Sequence, residues 1–579
     1  MMPEESAGTS GISEIEEQQE QVQGISFPAL VKSLKLPEYR KMLFDSVRIA
    51  GSLLLLLTAL ALVGYYTLFP SRGYFHSDTT DTIMWAEASY ESGSIFNPDF
   101  GYACFLPFGT NVLMRLLIPF TGVSMTTHVF GMLGFFILFS VSLILMLRQM
   151  NWKIGWIAVT VFAELMICSG STKLREIFWG HTIYYSLGVC FIFAGLAMIF
   201  RYMKLIKRTE TFHSPERIRK NRIHLILCII SIGIWFLLTG SDQITAITIF
   251  ALPVTGAVFC ERWLDTDTKI FSKRNLYTLI LLIVMLGMTI AGYFLTVLAS
   301  QGMTADYADA YSAYSDMEKW QENLEKFPLA WLSLLGVETK ANAPLMSAES
   351  AGSLLCIITG ILLLILPVAA LLYWKKIKDA RLRILILTYW FMTLLIMMGY
   401  VFGKLSAANW RLSPIVAMSV IVSASFLRWA FSQADRKRLA VLLTACIMAV
   451  SGIHAKTILF MPKDNTAQNY LYTLAEELEK RNLTYGYATF WRANSLTVIS
   501  DSKIKCRGVA LEDGQLWVRK YQCNMNWYKD QTSQETYFVL LSSEEALELR
   551  ESEYALLAKE HEEFALQGYV VWVFEENIF

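Results

Sequence analysis

The sequence predicts an α-helical polytopic membrane protein that ends in a small extracytoplasmic α/β domain. Three observations predict this fold class. Of the 579 residues, 54% are hydrophobic and only 17% are charged, whereas a soluble protein carries about 25% charged residues. Apolar windows of about 17–24 residues, long enough to cross a bilayer as a helix, recur eleven times. The last 120 or so residues carry instead the short mixed patterns of a soluble domain.

Two segments precede the first apolar window. Residues 1–25 are rich in Glu, Gln, Ser and Gly and predict a disordered acidic tail. Residues 26–46 mix apolar residues with lysines and predict a juxtamembrane amphipathic segment on the inner membrane surface. The first window begins near residue 47, which is too deep in the chain for a cleaved signal peptide, so we expect this helix to be retained.

The multi-span transmembrane domain is predicted to occupy residues 47–458. Its eleven windows lie near residues 47–69, 125–147, 154–170, 183–203, 223–239, 243–260, 276–298, 352–374, 384–402, 412–429 and 439–458. Alternate loops are basic: residues 201–222 carry eight Lys and Arg and residues 375–383 carry five. Because Lys and Arg accumulate in inner loops, we expect a multi-pass protein of the cell membrane with a cytoplasmic N-terminus.

Three predicted outer loops are too long to be simple turns, and they comprise residues 70–124, 170–182 and 299–351. Their amphipathic stretches predict helices on the outer membrane surface, where an outward-facing site would be built. Residues 459–579 then alternate helical and β-rich runs and predict the extracytoplasmic α/β domain. Cys506 and Cys523 lie in this domain, where they form either a disulfide or two unpaired thiols.

The first outer loop opens with FHSDTTDTIMWAEASYESG, which places Asp78 and Asp81 about one helical turn apart and adds Trp85 and Glu87 after them. Two carboxylates this close repel each other unless a cation lies between them or one of them holds a proton. A solvated helix start, stabilised by the helix dipole, is the alternative interpretation of the same residues.

Further candidates lie on other predicted outer turns and comprise Lys173, Arg175, His181, Asp242, Lys404 and Arg411. Basic side chains are the natural partners of phosphate, and a carboxylate beside them suits a general base. The set therefore favours a site for a phosphorylated polar substrate, although single bases at span ends also snorkel to the interface. Glu164 is the only clear acid inside a predicted span, either functional or a protonated structural acid.

Several function classes lose support from the sequence. We find no phosphate-binding loop, no dinucleotide-binding glycine motif, no zinc-protease motif and no nucleophile elbow. The zero formal net charge gives no indication of nucleic acid binding. The absence of a clear internal repeat and of midplane charge argues mildly against a secondary transporter.

The segment DTIMWAEASYESGSIFNPDF resembles the first-outer-loop motif of the GT-C class of glycosyltransferases, polytopic enzymes that use polyprenyl-phosphate sugars. The matching positions are Asp81, Trp85, Ala86, Glu87, Gly93 and Pro98. The number of spans, the helical outer loops and the C-terminal domain resemble the GT-C plan as well. The chain departs where Thr82 follows Asp81, since many members have Asp-Glu there, and where LPFG stands at residues 106–109 in place of Lys-Pro-Pro.

The resemblance implies a GT-C-like fold and a hexosyltransferase that moves a sugar from a polyprenyl-phosphate carrier to a cell-envelope glycopolymer or lipid. Asp81 would be the general base and Asp78 a second acid, while Trp85 and Glu87 would join the basic residues in binding substrate. Two acids on one face also suit a divalent cation such as Mg²⁺ or Mn²⁺, although a monophosphate leaving group does not require one. A transporter or flippase of a lipid-linked substrate and a non-catalytic scaffold are the competing functions.

Overall fold

The computed structural model describes residues 36–211, 214–264, 272–305, 311, 313–337, 344, 346–529, 534–552 and 554–579. The predicted acidic tail (1–25) and the first part of the predicted juxtamembrane segment lie outside the described residues. The described part is mainly helical and ends in a six-stranded mixed sheet. The predicted fold class is therefore confirmed.

The helices of the membrane part are α1 (Leu36–Leu68), α2 (Asp81–Ser92), α3 (Thr110–Thr121), α4 (Met125–Gln149), α5 (Ile154–Ile167), α6 (Tyr184–Thr211), α7 (Pro215–Gly240), α8 (Leu252–Trp263), α9 (Lys273–Ala299), α10 (Lys319–Leu334), α11 (Ala348–Leu372), α12 (Ala380–Val401), α13 (Ser413–Phe431) and α14 (Lys437–Leu459). Among the described residues, ten helical segments are long and apolar enough to cross a membrane, or eleven if one bent pair counts as a span. These spans correspond in order to the eleven predicted windows, and the chain is a multi-pass membrane protein.

The bent pair is the third predicted window. Helix α5 has only 14 residues, about 21 Å at 1.5 Å per residue, which is shorter than the roughly 30 Å hydrocarbon core. The chain then turns by 110° into the helical segment Thr172–Gly180. The Ser171 side chain accepts a hydrogen bond from the Leu174 amide at 3.1 Å and caps this segment. The bend therefore changes the direction of the chain before α6 begins.

Helix α1 is continuous over 33 residues, so the described part of the predicted juxtamembrane segment and the first span form one helix. Two short 3₁₀ turns follow, Pro70–Tyr74 and Ser77–Thr80, and the second leads directly into α2 at Asp81. Helix α2 ends at Gly93, whose φ of 69° is the left-handed conformation that glycine adopts without a side-chain clash. The helical start at Asp81 is thus set by the turns that precede it.

The C-terminal domain contains α15 (Tyr470–Lys480), α16 (Ala493–Ile499), α17 (Ser543–Glu551), β1 (Tyr485–Thr489), β2 (Lys505–Glu512), β3 (Gln515–Val518), β4 (Tyr537–Ser542), β5 (Glu562–Leu566) and β6 (Tyr569–Phe574). The strand order is β3-β2-β1-β4-β6-β5, with β1 parallel to both of its neighbours and the other pairs antiparallel. Central strand β4 is buried at five of its six positions, as expected for a strand covered on both faces. Cys506 and Cys523 are both buried free thiols, so the unpaired alternative is the one observed.

This domain is hydrogen-bonded to the first predicted outer loop, residues 70–124. The Gly101 amide donates to the Cys523 carbonyl at 3.1 Å, and the Gln522 amide donates to the Gly101 carbonyl at 2.7 Å. A Cβ atom at position 101 would collide with the Lys520 carbonyl, so only glycine fits this contact. The Ser77 hydroxyl also donates to the Phe490 carbonyl at 2.7 Å. Contacts with the C-terminal domain therefore fix the segment that carries Asp78 and Asp81.

Candidate active site

An acid–histidine pair joins the first two predicted outer loops, residues 70–124 and 170–182. The Oδ2 atom of Asp81, the first residue of α2, lies 3.3 Å from Nε2 of His181, which follows the bent segment. Their side chains are only 10% and 7% exposed, respectively. The two residues are 100 positions apart in sequence, and the bend after α5 brings them together.

Burial and pairing set the charge state of this pair. Burial raises the pKa of Asp81 above its ordinary value, and the hydrogen bond from His181 offsets only part of that effect. Burial lowers the pKa of His181, but the hydrogen bond to Asp81 and the negative charges of Asp81, Glu176 and Asp78 together outweigh it, so the pKa of His181 is raised overall. The other carboxylate oxygen of Asp81, Oδ1, is buried and has no hydrogen-bond partner among the described residues. That oxygen is free to accept a proton from a bound molecule.

Asp78 lies beside the pair but is not bonded to it. Its side chain is half-buried, and its negative charge raises the pKa of both Asp81 and His181. The repulsion expected between the two aspartates is thus offset by His181, which binds the deeper one. Within the described ranges, no group of three or more His, Cys, Asp or Glu side chains is arranged to hold a metal ion, and the divalent cation stays a prediction.

A second charged group borders the pair. Nε2 of His76 lies 3.4 Å from Oε2 of Glu176, and Nζ of Lys173 lies 2.7 and 2.8 Å from the two oxygens of the same carboxylate. Lys173 therefore has an acidic partner next to it. His76 and Glu176 are absent from the predicted site residues, although each stands within five residues of a predicted one in the sequence.

Arg175 stabilises the bend. Its guanidinium donates to the Ser169 carbonyl at 2.8 Å and to the Thr172 hydroxyl at 3.1 Å, and it stacks over the Tyr66 ring with a distance of 5.8 Å to the centroid. The residue is 5% exposed. These contacts connect the start of the bent segment to the end of α5 and to α1.

Asp242 lies in the turn after α7 and is 3% exposed. Burial raises the pKa of this carboxyl well above its ordinary value, and Oδ2 has no hydrogen-bond partner in the described part of the chain. The charges of Asp242 and Asp81 both raise the pKa of the buried Cys104 thiol. Asp242 and Asp81 therefore both lie near Cys104, a residue of the first predicted outer loop.

Arg411 and Lys404 lie on the turn between α12 and α13. Arg411 is 1% exposed, donates to the Lys404 carbonyl at 2.7 Å and stacks over the Tyr311 ring at 3.9 Å. The ring of the neighbouring Trp410 makes an edge contact with the ring of Tyr185, with 5.3 Å between their centroids. Tyr185 lies four residues after His181 in the sequence. The Lys404 side chain is exposed. This turn thus reaches the start of α6, close in sequence to His181.

Trp85 and Glu87 face the C-terminal domain. Nε1 of Trp85 donates to Oε1 of Gln522 at 2.7 Å, and Oε1 of Glu87 lies 3.3 Å from an Arg507 nitrogen. Arg507 stacks over the Trp527 ring at 3.7 Å. Both partners are more than 400 residues away in sequence, so no local pattern indicates them. The two residues join α2 to the C-terminal domain, on contacts separate from the Asp81–His181 pair.

Comparison with known proteins finds solved structures whose fold is similar to that of this chain. No protein-family model and no curated protein matched the chain. The crystal structure of ArnT from Cupriavidus metallidurans bound to undecaprenyl phosphate aligns with a TM-score of 0.51 at 11% identity, over 90% of this chain and 98% of that one. The likeness covers nearly the whole of both chains, and the fold is that of the GT-C membrane enzymes.

The oligosaccharyltransferase of Archaeoglobus fulgidus is also similar. Its apo form aligns with a TM-score of 0.45 at 12% identity over 79% of this chain. The form tethered to an acceptor peptide aligns with a TM-score of 0.46 at 12% identity over 82% of this chain. The alignment spans 64% of the length of the oligosaccharyltransferase.

Proposed function

We propose that this chain is a membrane glycosyltransferase that moves a sugar from a polyprenyl-phosphate carrier to a hydroxyl group of an extracytoplasmic cell-envelope acceptor. The fold supports this proposal, because the ArnT structure of the same fold was solved with undecaprenyl phosphate bound. The motif resemblance around Asp81 supports it as well. The acceptor class we propose is a glycopolymer or a lipid.

The observation that carries the proposal is the state of Asp81. One carboxylate oxygen is held by His181 at 3.3 Å, and the other is buried without a hydrogen-bond partner among the described residues. A buried acceptor without a partner costs about 1–3 kcal/mol, and such groups persist where a ligand satisfies them. Since burial also raises the pKa of Asp81, this carboxylate is a stronger base than an ordinary aspartate.

In the proposed step, the acceptor oxygen attacks the anomeric carbon of the sugar while Oδ1 of Asp81 takes the hydroxyl proton. A bond forms between the acceptor oxygen and the anomeric carbon, and the bond from that carbon to the phosphate oxygen breaks. The polyprenyl phosphate leaves with the bonding electron pair. His181, Lys173 and Arg411 are the cations proposed to stabilise its charge, and a divalent cation beside Asp78 and Asp81 is the alternative.

The test uses the full chain in lipid nanodiscs with synthetic polyprenyl-phosphate hexoses, and with the glycopolymer fraction and the lipid extract of the cell envelope as separate acceptors. The Asp81→Asn variant should lose roughly 10²–10⁴-fold in transfer rate, the range expected for a general base. Asp99→Asn is the matched control, because Asp99 is an exposed acid of the same segment that bonds Asn526 at 2.8 Å. Wild-type transfer by Asp81→Asn would contradict the assignment of the base.

A second measurement separates transfer from transport. Proteoliposomes loaded with the same lipid-linked hexose are expected to yield a covalent product on the acceptor. Movement of the lipid across the bilayer without any covalent product would favour a flippase and overturn the proposed enzyme.

A further inference from the structure

A cavity of about 1140 Å³ lies in the part of the helix bundle away from the first predicted outer loop. Its walls come from the middle of α1, the α4–α5 connection with the start of α5, the start of α12, the end of α13 and the first half of α14. From Gly51 in its wall, α1 runs a further 17 residues to Leu68, about 26 Å along the helix. The cavity therefore lies on the predicted inner side, far from Asp81, and its volume is at or above the usual range for ligand sites.

Positive charge dominates the polar part of the wall. The basic residues that line the cavity are Arg48, Lys153, Arg428 and Lys437. Asp379 is the acidic residue of the lining, and both of its oxygens accept hydrogen bonds from Arg381 at 3.0 Å. Asp379 is thus paired with Arg381, and Arg48 is paired with Asp45 at 2.8 Å. The positive charge that remains on the wall comes from Lys153, Arg428 and Lys437 and favours an anion.

Two polar groups in the wall are buried without a partner. Trp152 is 7% exposed and Ser425 is 2% exposed, and both line the cavity. Neither Nε1 of Trp152 nor Oγ of Ser425 has a hydrogen-bond partner among the described residues. An N–H and an O–H donor left unsatisfied at one cavity are costly, and an anionic oxygen bound there would accept from both. The Arg428 guanidinium stacks over the Trp152 ring at 5.1 Å, which puts a cation next to the indole donor.

Part of the remaining wall is aliphatic and reaches the bundle surface. Leu55 of α1 and Val441 and Met448 of α14 line it, and Val441 is 51% exposed on the bundle surface. At Gly51 an added Cβ atom would meet nothing within 4 Å, so the space beside α1 is unfilled. A hydrocarbon chain can therefore extend from the polar part of the cavity along the aliphatic wall.

We propose that this cavity binds an anionic phospholipid of the inner leaflet. The phosphate lies among Arg428, Lys153 and the donors of Trp152 and Ser425, and an acyl chain lies against α1 and α14. Basic pockets between membrane helices on the cytoplasmic side are suited to anionic headgroups. The site is separate from the Asp81–His181 pair and does not depend on the proposed transferase activity.

The experiment titrates the purified full chain in a zwitterionic detergent with phosphatidylglycerol and with phosphatidylcholine of matched acyl chains, and counts bound lipids by native mass spectrometry. Phosphatidylglycerol should bind at least about tenfold more tightly. The double variant Lys153→Gln/Lys437→Gln should lose at least about fivefold of that affinity, and Trp152→Phe should weaken binding by removing the indole donor. The matched control is Lys375→Gln/Lys378→Gln, two exposed lysines near α12 that are not part of the cavity wall.

Both cavity lysines are exposed at the protein surface, so the double variant is expected to fold, and its size-exclusion profile checks this. Gly51→Phe should block the aliphatic part and abolish retention of lipid through purification. Equal affinity for the two lipids, or wild-type affinity of the double variant, would overturn the proposal. Displacement of the phospholipid by inorganic phosphate would reduce the site to one for a free anion and would overturn it as well.

Discussion

Replacing Arg507 with methionine is expected to weaken the attachment of the C-terminal domain to α2. The Arg507 and Glu87 side chains are 3% and 11% exposed and lie 3.3 Å apart. Methionine keeps most of the apolar contact of the side chain with Trp527 but removes the charge. The main consequence is therefore electrostatic, because the buried Glu87 carboxylate loses its cation.

The size of the effect follows from what Glu87 can then do. It either stays charged and unpaired, which costs about 3–5 kcal/mol for a broken buried pair, or it takes up a proton. Burial already raises the pKa of Glu87 from its ordinary value of 4.5, and Arg507 is the largest opposing influence. Keeping the carboxyl neutral at pH 7 costs 1.36 kcal/mol for each pH unit above 4.5, or about 3.4 kcal/mol. Glu87 takes whichever of these two states costs less, so the free energy of unfolding should fall by about 3 kcal/mol.

The same reasoning fixes the pH dependence. In the variant, native Glu87 binds a proton that the unfolded chain releases above pH 4.5, so the stability of the variant relative to wild type falls as pH rises. At pH 5 the neutral carboxyl costs only about 0.7 kcal/mol. The destabilisation by Arg507→Met should therefore shrink strongly between pH 7 and pH 5.

The assay is urea unfolding of the full chain in detergent micelles, with pulse proteolysis reporting the opening of the C-terminal domain. At slopes of about 1–3 kcal/mol per molar urea, the midpoint at pH 7 should fall by roughly 1–3 M. The double variant Glu87→Gln/Arg507→Met should recover most of the loss, since no buried charge remains. Arg519→Met is the control, because Arg519 stacks over the Phe490 ring at 4.4 Å and is predicted to cost less than about 1 kcal/mol. An unchanged midpoint for Arg507→Met, or a double variant as unstable as the single one, would refute the reasoning.

Two further predictions concern the candidate site. His181→Phe removes the hydrogen bond that lowers the pKa of Asp81, so the acid limb of the transfer rate should move to higher pH by at least about one unit. A pH–rate profile with an unmoved limb would show that His181 does not act through Asp81. Burial raises the pKa of Asp242 well above its ordinary value, so Asp242→Asn, which removes the ionisable group, should raise the unfolding temperature at pH 7 relative to wild type. Since a raised carboxyl pKa makes the wild type lose stability as pH rises above the ordinary value, the advantage of the variant should shrink near pH 4, and a large loss of stability in the variant at pH 7 would contradict this prediction.

The spans could be predicted from the sequence because bilayer thickness sets the length of an apolar helix. The predicted window 125–147 corresponds to α4 (Met125–Gln149), and the window 439–458 corresponds to α14 (Lys437–Leu459). The third window, 154–170, shows the limit of this reasoning. Hydropathy records how apolar a stretch is, but it does not record that the chain turns by 110° after Ile167.

The candidate site divides in the same way. The residue types around Asp81 and the predicted outer ends of the spans indicate where charged chemistry accumulates, and the sequence alone supplies that. It does not indicate that His181 binds Asp81, or that Glu87, less than two helical turns after Asp81, turns instead toward Arg507. Apolar length and residue type belong to each segment by itself, so the sequence by itself determined the membrane fold and its candidate residues. Which acid meets which cation is a contact between segments 100 or 420 residues apart, and only the tertiary structure decided it.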